Sequence, residues 1–403
     1  MFFIPKTSDG QEVSYLCGNS LGLQPKSVLS YLKTELDDWA QLGVDGHFNG
    51  KNPWLDYHKL LTVPMASIVG ALPHEVVIMN TLTTNLHLLL ATFYKPSKSK
   101  YKILTEARAF SSDYYVIESQ AQWHGFDPKS ALLEVQGDPI TGYISSVDIQ
   151  NTLDKHKDEI ALILLGGVNY YTGQFFDLKN ISSQAHNLGI PIGVDLAHAA
   201  GNVELHLHDW NIDFAAWCSY KYLNAGPGGP GGIFIHENHS MDPATFRLAG
   251  WWGHETNSRF QMDKGFIPQP GAEGWQLSNA QIMAFAPLCA SLDIFYEVGM
   301  DSLHNKRIKL SNYLFEGLHK IKGNNGEKFS IITPENSKEH GCQVSISIPK
   351  KAKLVSEFLQ HSFGVITDYR QPDVLRVSPV PLYNTYEDID RFTFGFEKWL
   401  EMN

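Results

Sequence analysis

The most constraining feature of the sequence is an alternation of short apolar segments with amphipathic ones, which begins near residue 75. Short apolar runs are typical of strands that are buried on both faces, and the segments between several of them have helical spacing. The segments that we interpret as strands are EVVIMN at 75–80, YKILTEA at 101–107, IALILLGGV at 160–168, IPIGVDLA at 190–197, DFAAWCSY at 213–220 and GGIFIH at 231–236. The intervening helices are predicted at 85–94, 111–124, 146–157 and 178–188. This order predicts βαβ units and a mostly parallel sheet that helices cover on both faces.

Both ends of the chain have a different pattern. Residues 25–43 have apolar side chains at helical spacing and a proline in the first turn, which predicts a helix. A long helical stretch is predicted at 288–322. The segments KFSIITPE and CQVSISIP follow it, and their period-two alternation is typical of half-buried strands. A further helix, a strand near DVLRVSP and a terminal helix complete this part. We therefore predict an α/β fold with an N-terminal segment (1–55) that joins a smaller α+β domain (288–403), beside a large domain (56–287).

The composition excludes several classes of function. The chain of 403 residues has 32 Lys and Arg against 43 Asp and Glu, and this net charge of −11 argues against a nucleic-acid or anionic-membrane partner. The N-terminal MFFIPKTSDGQE lacks the basic start of a secretory signal, and the longest apolar stretches are too short to span a bilayer. The four cysteines are scattered without a CxxC pair, so we expect a reduced, cytoplasmic protein.

Polar and aromatic residues follow the predicted strands, at the sheet edge where open α/β sheets bind ligands. The helix start at 81–85 (TLTTN) suits a phosphate, although a simple Thr or Asn cap fits as well. Phe110 comes after the next strand, where it either stacks on a planar ligand or packs in the core. Asp195 ends an apolar strand, with His198 three residues on, and Lys221 ends another. Such a lysine either extends to solvent or is held inside for chemistry.

Together these groups match the requirements of pyridoxal phosphate (PLP). Its aldehyde condenses with a lysine amine, its ring nitrogen needs a carboxylate, and its phosphate suits a helix N-terminus. The loop NAGPGGPGG after Lys221 is expected to keep side chains clear of the lysine. Gly226, Gly228 and Gly231 formally match GxGxxG, but a strand-like segment follows them where a dinucleotide site requires a helix.

Five motifs resemble those of a known family: GNSLGLQPK, VDLAHAAGNVELHLHDW, CSYKYLNAG, GWWGHETNSRF and LRVSPVPLYNT. On these motifs the chain resembles the kynureninase family, PLP enzymes of the aspartate aminotransferase fold (type I), from about residue 14 to its end. The resemblance implies hydrolysis of the Cβ–Cγ bond of L-kynurenine to anthranilate and L-alanine, or of 3-hydroxykynurenine to 3-hydroxyanthranilate. It also implies a homodimer with shared active sites and a place in tryptophan catabolism or NAD biosynthesis.

The resemblance further implies roles for individual residues. Lys221 would form the imine with PLP, Asp195 would hold the ring nitrogen, and Tyr220 would bind the phosphate and act as an acid/base. The other implied cofactor contacts are Leu82, Thr83, Phe110, Ser111, Ser112, Asp113, His198, Trp251 and Asn279. Gly166 stands where some relatives have a serine, so a contact there would come from the backbone.

Three residues are implied in substrate binding. Ser20 and His47 match positions near the substrate ring, and Arg376 matches the arginine that holds the substrate carboxylate. A guanidinium binds a carboxylate through two parallel hydrogen bonds, which gives this role a physical basis. The alternatives are a surface ion pair for Arg376 and an ordinary loop histidine for His47.

Other functions remain open from the sequence alone. An aminotransferase or a cysteine desulfurase would use the same fold, but a desulfurase needs a cysteine on a mobile loop, and Cys342 opens a strand-like segment. A metal-dependent hydrolase could use Asp195, His198, His206 and His208, although no further ligand at convincing spacing completes that set. A third alternative is a catalytically silent relative that serves as a binding protein.

Overall fold

The N-terminal part of the chain contains a short strand and a surface helix. A computed structural model describes residues 1–326 and 328–403. Its first elements are β1 (Ser14–Tyr15), α1 (Val28–Leu42) and α2 (Gly46–Asn49). The helix predicted at 25–43 is therefore confirmed, and α1 ends where Gly43 takes a positive φ of 54°.

A seven-stranded sheet forms the centre of the fold. Its strands are β2 (Val76–Ile78), β3 (Lys102–Glu106), β4 (Leu132–Val135), β5 (Ile160–Gly166), β6 (Ile192–Asp195), β7 (Phe214–Cys218) and β8 (Gly231–Ile235). Their order is β2-β8-β7-β6-β5-β3-β4, and every neighbouring pair is parallel except β2–β8 and β7–β8. The predicted mostly parallel sheet is confirmed. The sequence analysis missed β4, because this edge strand is only partly buried and lacks a continuous apolar run.

Helices cover both faces of this sheet, as predicted. They are α3 (Lys59–Val69), α4 (Leu82–Phe93), α5 (Ser111–Trp123), α6 (Pro128–Ala131), α7 (Ser146–His156), α8 (Leu178–Asn187) and α9 (Glu237–Ser240). Successive side chains of a strand point to opposite faces. Thus Leu165 and Trp217 pack in the cluster that includes α3, α7 and α8, whereas Leu164 and Phe214 pack with α4 and α5.

The C-terminal part is built on a small antiparallel sheet. Its helices are α10 (Ile282–Val298), α11 (Met300–Asn325), α12 (Ala352–Phe363) and α13 (Tyr386–Met402), and its strands are β9 (Ser330–Ile331), β10 (Val344–Ser347), β11 (Val365–Ile366), β12 (Asp368–Arg370) and β13 (Val374–Val377). The order is β12-β13-β10-β9, and β11 pairs in parallel with β1. The predicted α+β pattern is confirmed for this part.

The helical stretch predicted at 288–322 is two helices, α10 and α11, which bend by 83° at their junction. Gly299 lies at this break with a φ of 77°, which favours glycine. Within residues 1–326 and 328–403, no single helix is long and apolar enough to cross a membrane; α10 and α11 pass that test of length and composition only as this bent pair.

The three predicted domain ranges, 1–55, 56–287 and 288–403, stay a prediction. The buried side chains of α10 pack with the large sheet, whereas those of α11 from Leu310 onward pack with the small sheet. Leu16, which adjoins β1, packs in the second cluster. These contacts favour a boundary beyond α10 and an N-terminal segment that joins the smaller unit.

We expect Gly193→Ala to lower stability by about 1–3 kcal/mol, because overpacking of a core costs energy of this order. A Cβ added at Gly193 in β6 would lie 2.0 Å from Cζ of Phe214, which is fully buried. Urea unfolding followed by circular dichroism should give a lower midpoint. The control is Gly323→Ala in α11, where an added Cβ meets no described atom within 4 Å and alanine favours the helix. Equal midpoints for both variants would contradict this packing.

Candidate active site

A cavity of about 310 Å³ lies where the central strands end. Its lining residues are Thr81, Leu82, Thr83, Glu106, Phe110, Ser112, Asp113, Gly166, Val168, Tyr170, Asp195, Ala197, His198, Cys218, Tyr220, Lys221, Gly228 and Gly229. Ten of them were predicted as site residues from the sequence. The carboxyl ends of parallel strands meet at one edge, so the fold brings together residues that are far apart in the chain.

One end of the cavity is the N-terminus of α4. Leu82 and Thr83 line it there, and the Thr81 hydroxyl pairs with Thr84 Oγ1 at 3.2 Å instead of capping the helix. The backbone of Gly231 approaches closely, since an added Cβ would lie 3.1 Å from the Leu82 nitrogen. The N–H groups of a helix start and the helix dipole favour an anion, so this end suits a phosphate.

Lys221 follows β7 and extends into the same cavity. Its Nζ lies 5.9 Å from the ring centroid of Phe110 and 5.8 Å from that of Tyr220. Of the glycines in the loop that follows, Gly228 and Gly229 line the cavity, and the expectation that this loop keeps side chains clear of Lys221 stays a prediction. An added Cβ at Gly226 or Gly228 meets no described atom within 4 Å, and their φ values of 81° and 72° also favour glycine.

Asp195 and Asp113 form a buried pair of carboxyl groups. Asp195 ends β6, is 5% exposed, and accepts the Ala197 N–H at 2.7 Å. The pKa of Asp113 is raised well above its usual value by burial and by the neighbouring charge of Asp195, with which it shares a hydrogen bond. Burial also raises the pKa of Asp195, although Lys221 opposes this shift. The pair therefore retains a proton, which Asp113 holds.

His198 and Tyr220 are both held in their neutral forms. Burial, and then the charges of Lys221 and Arg376, keep the pKa of His198 well below its usual value. Burial, and then the neighbouring Cys218, raise the pKa of the Tyr220 hydroxyl. Tyr220 therefore keeps its proton at neutral pH and can donate it inside the cavity.

Arg376 and Ser20 meet beside the cavity. Arg376 on β13 is 1% exposed, so its ion pair with Asp368 is buried and not the surface pair considered from the sequence. Its Nη1 donates to the Tyr170 carbonyl at 2.8 Å and its Nη2 to Ser20 Oγ at 3.2 Å. The Ser20 hydroxyl also donates to the Asp368 carboxylate. Arg376 does not line the cavity itself but contacts Tyr170, which does. Its contact with the substrate therefore stays a prediction.

Besides Ser20 and Arg376, four predicted site residues lie outside the cavity lining of their own chain. Ser111 is the exposed first residue of α5, and His47 in α2 is half-buried and bonds to the Val44 carbonyl at 3.0 Å. Trp251 is 47% exposed, and Asn279 is exposed as well. Their roles in binding remain predictions, and a contribution across a subunit interface is one way to fulfil them.

Eight residues of the lining were not among the predicted site residues, and Glu106, Tyr170 and Cys218 are three of them. Glu106 is the last residue of β3, Tyr170 follows β5, and Cys218 is the last residue of β7. The same signal that identified Asp195, a charged residue at the end of an apolar strand, was also available for Glu106.

The residues considered for a metal-dependent hydrolase do not form one site. Asp195 and His198 line the cavity, but His206 and His208 do not. His206 bonds to Glu204 Oε1 at 3.0 Å, and this pair is exposed.

A different group, Glu75, His208 and His236, has ligand atoms within 4.8 Å of one another. These atoms are already engaged. Glu75 Oε1 bonds to His208 at 3.0 Å and accepts the Glu237 N–H at 2.8 Å, and His236 Nδ1 accepts the Asn238 N–H at 3.2 Å. The Glu75 carboxylate also raises the pKa of His208, which favours an ion pair over a metal site. We interpret the group as structural.

Known kynureninases are similar to this chain over nearly its whole length. The kynureninase of Flavobacterium johnsoniae is 48% identical over 394 residues, which cover 98% of this chain and 92% of that protein. The kynureninase of Koribacter versatilis is 49% identical over 395 residues, with the same coverage. The chain belongs to the kynureninase family. The family profile described as the kynureninase C-terminal domain also matches residues 303–394.

Kynureninases are hydrolases that act on carbon–carbon bonds, so the predicted enzyme class and function are confirmed, and the aminotransferase and desulfurase alternatives are not favoured. Consistent with this, Cys342 is buried.

Solved structures confirm the predicted fold class, the α/β fold of PLP enzymes of type I. A cysteine desulfurase from Thermococcus onnurineus matches with a TM-score of 0.78 at 20% identity and covers 97% of this chain and 95% of its own. The cysteine desulfurase CsdA of Escherichia coli matches with a TM-score of 0.76 at 17% identity, over 99% and 97%. A cystine lyase variant described with glycine covalently linked to its PLP cofactor has a TM-score of 0.75 at 15% identity, over 96% of each chain.

We expect Asp113→Asn to stabilise the cofactor-free protein at neutral pH relative to the wild type, because the buried asparagine carries no charge. The raised pKa of Asp113 means that folding favours its protonated form. This stabilisation is present at acid pH and is lost as the pH rises through the pKa of the folded state. An asparagine cannot ionise, so the advantage of the variant should grow from about pH 4 to about pH 8 in urea unfolding. Exposed Asp158→Asn is the control; a pH-independent difference for Asp113→Asn would contradict the assignment.

Proposed function

We propose that this chain hydrolyses L-kynurenine to anthranilate and L-alanine with PLP bound at Lys221, and that 3-hydroxykynurenine is a second substrate. The observation that carries the proposal is the placement of Lys221, Asp195 and the start of α4 around one cavity. Family membership selects this reaction among those that the fold supports.

The cavity residues fit PLP. The N-terminus of α4 would hold the phosphate, Asp195 would hold the ring nitrogen, and Phe110 would lie against the ring. The Nδ1 atom of His198 and the Oδ1 atom of Asp113 are buried without a partner in the described part of the chain, as expected for atoms that await a ligand. When bound, PLP supplies an aldehyde that condenses with amines and a protonated ring that accepts electrons.

The side chains of the protein would then orient the substrate and move protons. Arg376 would bind the substrate carboxylate, for which the guanidinium must exchange its contact with Asp368. Lys221, once released by the substrate amine, would take the proton from the substrate Cα. Water adds to the γ-carbonyl, the Cβ–Cγ bond breaks, and anthranilate leaves. Tyr220 would donate a proton to Cβ as anthranilate leaves, because its hydroxyl stays protonated in the cavity, and Lys221 would return its proton to Cα to give L-alanine.

A homodimer would complete the site. Trp251 and Asn279 are exposed in the single chain, and so are large apolar residues of the N-terminal part, among them Leu29, Trp39 and Val44. Exposed apolar surface of this kind is typical of protein interfaces. We therefore propose that two chains associate through these surfaces and share their active sites. The proposed setting is tryptophan breakdown or NAD synthesis in the cytoplasm.

We expect Tyr220→Phe to reduce turnover of L-kynurenine by about two to four powers of ten, the usual contribution of an acid/base residue. PLP should stay bound, since Lys221 is intact. Anthranilate formation is measured by fluorescence, and bound PLP by its absorbance. Full activity of this variant would remove Tyr220 from the mechanism.

A separate test addresses the cofactor link. Borohydride reduction of the wild type followed by peptide mass analysis should find PLP attached to Lys221, and Lys221→Ala should lose both this adduct and anthranilate formation. An adduct on another lysine would refute the assignment, and bound PLP without anthranilate would refute the substrate.

We expect a mixture of two inactive variants, Lys221→Ala and Trp251→Ala, to recover part of the activity after subunit exchange. In a mixed dimer, one site would combine the intact Lys221 of one subunit with the intact Trp251 of the other. Light scattering should report a dimer for each variant alone and for the mixture. A monomer, or a dimer whose mixture stays inactive, would contradict shared active sites.

A further inference from the structure

The floor of the cavity contains a buried acid that the proposed mechanism does not use. Glu106, Gly166 and Asp195 end the three adjacent strands β3, β5 and β6, in that spatial order. Glu106 is 2% exposed and lines the cavity. Its Oε2 accepts the Gly166 N–H at 3.1 Å and the Thr105 hydroxyl at 3.2 Å. The side chain of Glu106 thus extends across the end of β5 toward Asp195.

The absence of a side chain at Gly166 makes this placement possible. A Cβ added there would lie 2.8 Å from Glu106 Oε1, so any larger residue would displace the carboxyl group. Gly166 and Asp195 are direct partners in the β5–β6 pairing. The carboxyl group of Glu106 therefore occupies the space that a side chain on β5 would take, next to the acid predicted to hold the PLP ring nitrogen.

Three carboxyl groups, those of Glu106, Asp113 and Asp195, share this buried region, and they cannot all be ionised at once. Burial raises the pKa of Glu106 to about 7, its hydrogen bonds oppose this shift, and the charge of Asp195 adds to it. The titratable groups that interact with Glu106 are Asp195 from β6, Asp113 from α5 and Tyr114 from α5. Lys221 is the cation that acts on the two aspartates.

We propose that Glu106 is a positioning residue for the cofactor: its carboxyl group, held across the end of β5 by the Gly166 N–H, sets the electrostatic environment of the Asp195–Asp113 pair that would face the PLP ring nitrogen. This inference rests on the proposed function, in which Asp195 holds that nitrogen. Ionisation of Glu106 would add a second negative charge beside Asp195 and would change the proton affinity of the bound ring. A residue that only joined β3 to β5 would not transmit its ionisation to the cofactor.

The test compares Glu106→Gln with the wild type, because glutamine keeps the shape of the neutral acid and cannot ionise. In the wild-type holoenzyme, the absorbance of bound PLP between about pH 5.5 and about pH 9 should include a step caused by Glu106, whose pKa burial raises to about 7 in the cofactor-free chain. Glu106→Gln should lose this step. The matched control is Glu134→Gln on the neighbouring strand β4, whose side chain bonds to Tyr114 and does not line the cavity; it should keep the step.

Unfolding of the cofactor-free protein gives a second readout. The pKa of folded Glu106, about 7, exceeds its ordinary value of 4.5, so its stabilising effect is full below pH 4.5 and is lost as the pH rises through 7. The urea midpoint of Glu106→Gln should therefore rise relative to that of the wild type between about pH 5 and about pH 8.

The two readouts separate the inference from the proposed function. A pH-independent difference in midpoints, or an absorbance step retained in Glu106→Gln, would overturn the role of Glu106. Loss of the step together with the predicted rise in midpoint would support it even if L-kynurenine were not the substrate. If the protein bound no PLP, the proposed function and this inference would both fail.

Discussion

The structure depends on the burial of charged groups at one edge of a parallel sheet. Asp195 is nearly inaccessible to solvent, and the charge of Lys221 acts on it within the same cavity. Removing a carboxylate from water is unfavourable unless hydrogen bonds and opposite charge compensate. Here the Ala197 N–H, the proton held by Asp113 and the lysine supply that compensation. A ligand that carries a positive ring nitrogen would complete it.

Elements of both sheets border the cavity at this edge. The antiparallel strand β8 lies between β2 and β7, and its first residue, Gly231, leaves the start of α4 close to the cavity. On the other side, β13 brings Arg376 against the Tyr170 carbonyl, so the small sheet contributes a guanidinium to the edge of the large one. Residues from both sheets therefore meet at one place, and a relative movement of the two would alter the contacts of Arg376.

The occupied guanidinium of Arg376 is informative about ligand binding. Asp368, Ser20 and the Tyr170 carbonyl engage it in the structure, and in the proposed function the substrate carboxylate would replace the Asp368 contact. A carboxylate ligand of Arg376 would therefore compete with an internal carboxylate. Its binding free energy would be less favourable than for a guanidinium that has no partner in the unbound protein. Such an exchange favours ligands whose other groups also make good contacts.

The sequence alone determined the sheet, its mostly parallel order and most residues of the cavity. Apolar runs and their spacing depend on the local chain, and the strand ends that carry Asp195 and Lys221 follow from them. The sequence did not reveal β4, because the apolar pattern of this edge strand is weak. It did not reveal the bend at Gly299 either, because the helical pattern continues across the break.

Only the tertiary structure decided which distant groups share a proton or a charge. The approach of Glu106 across Gly166, the pairing of Asp113 with Asp195 and the ion pair of Arg376 join residues from separate strands and helices. Electrostatic coupling depends on distance and on exclusion of water, and neither quantity is encoded in the order of residues along the chain.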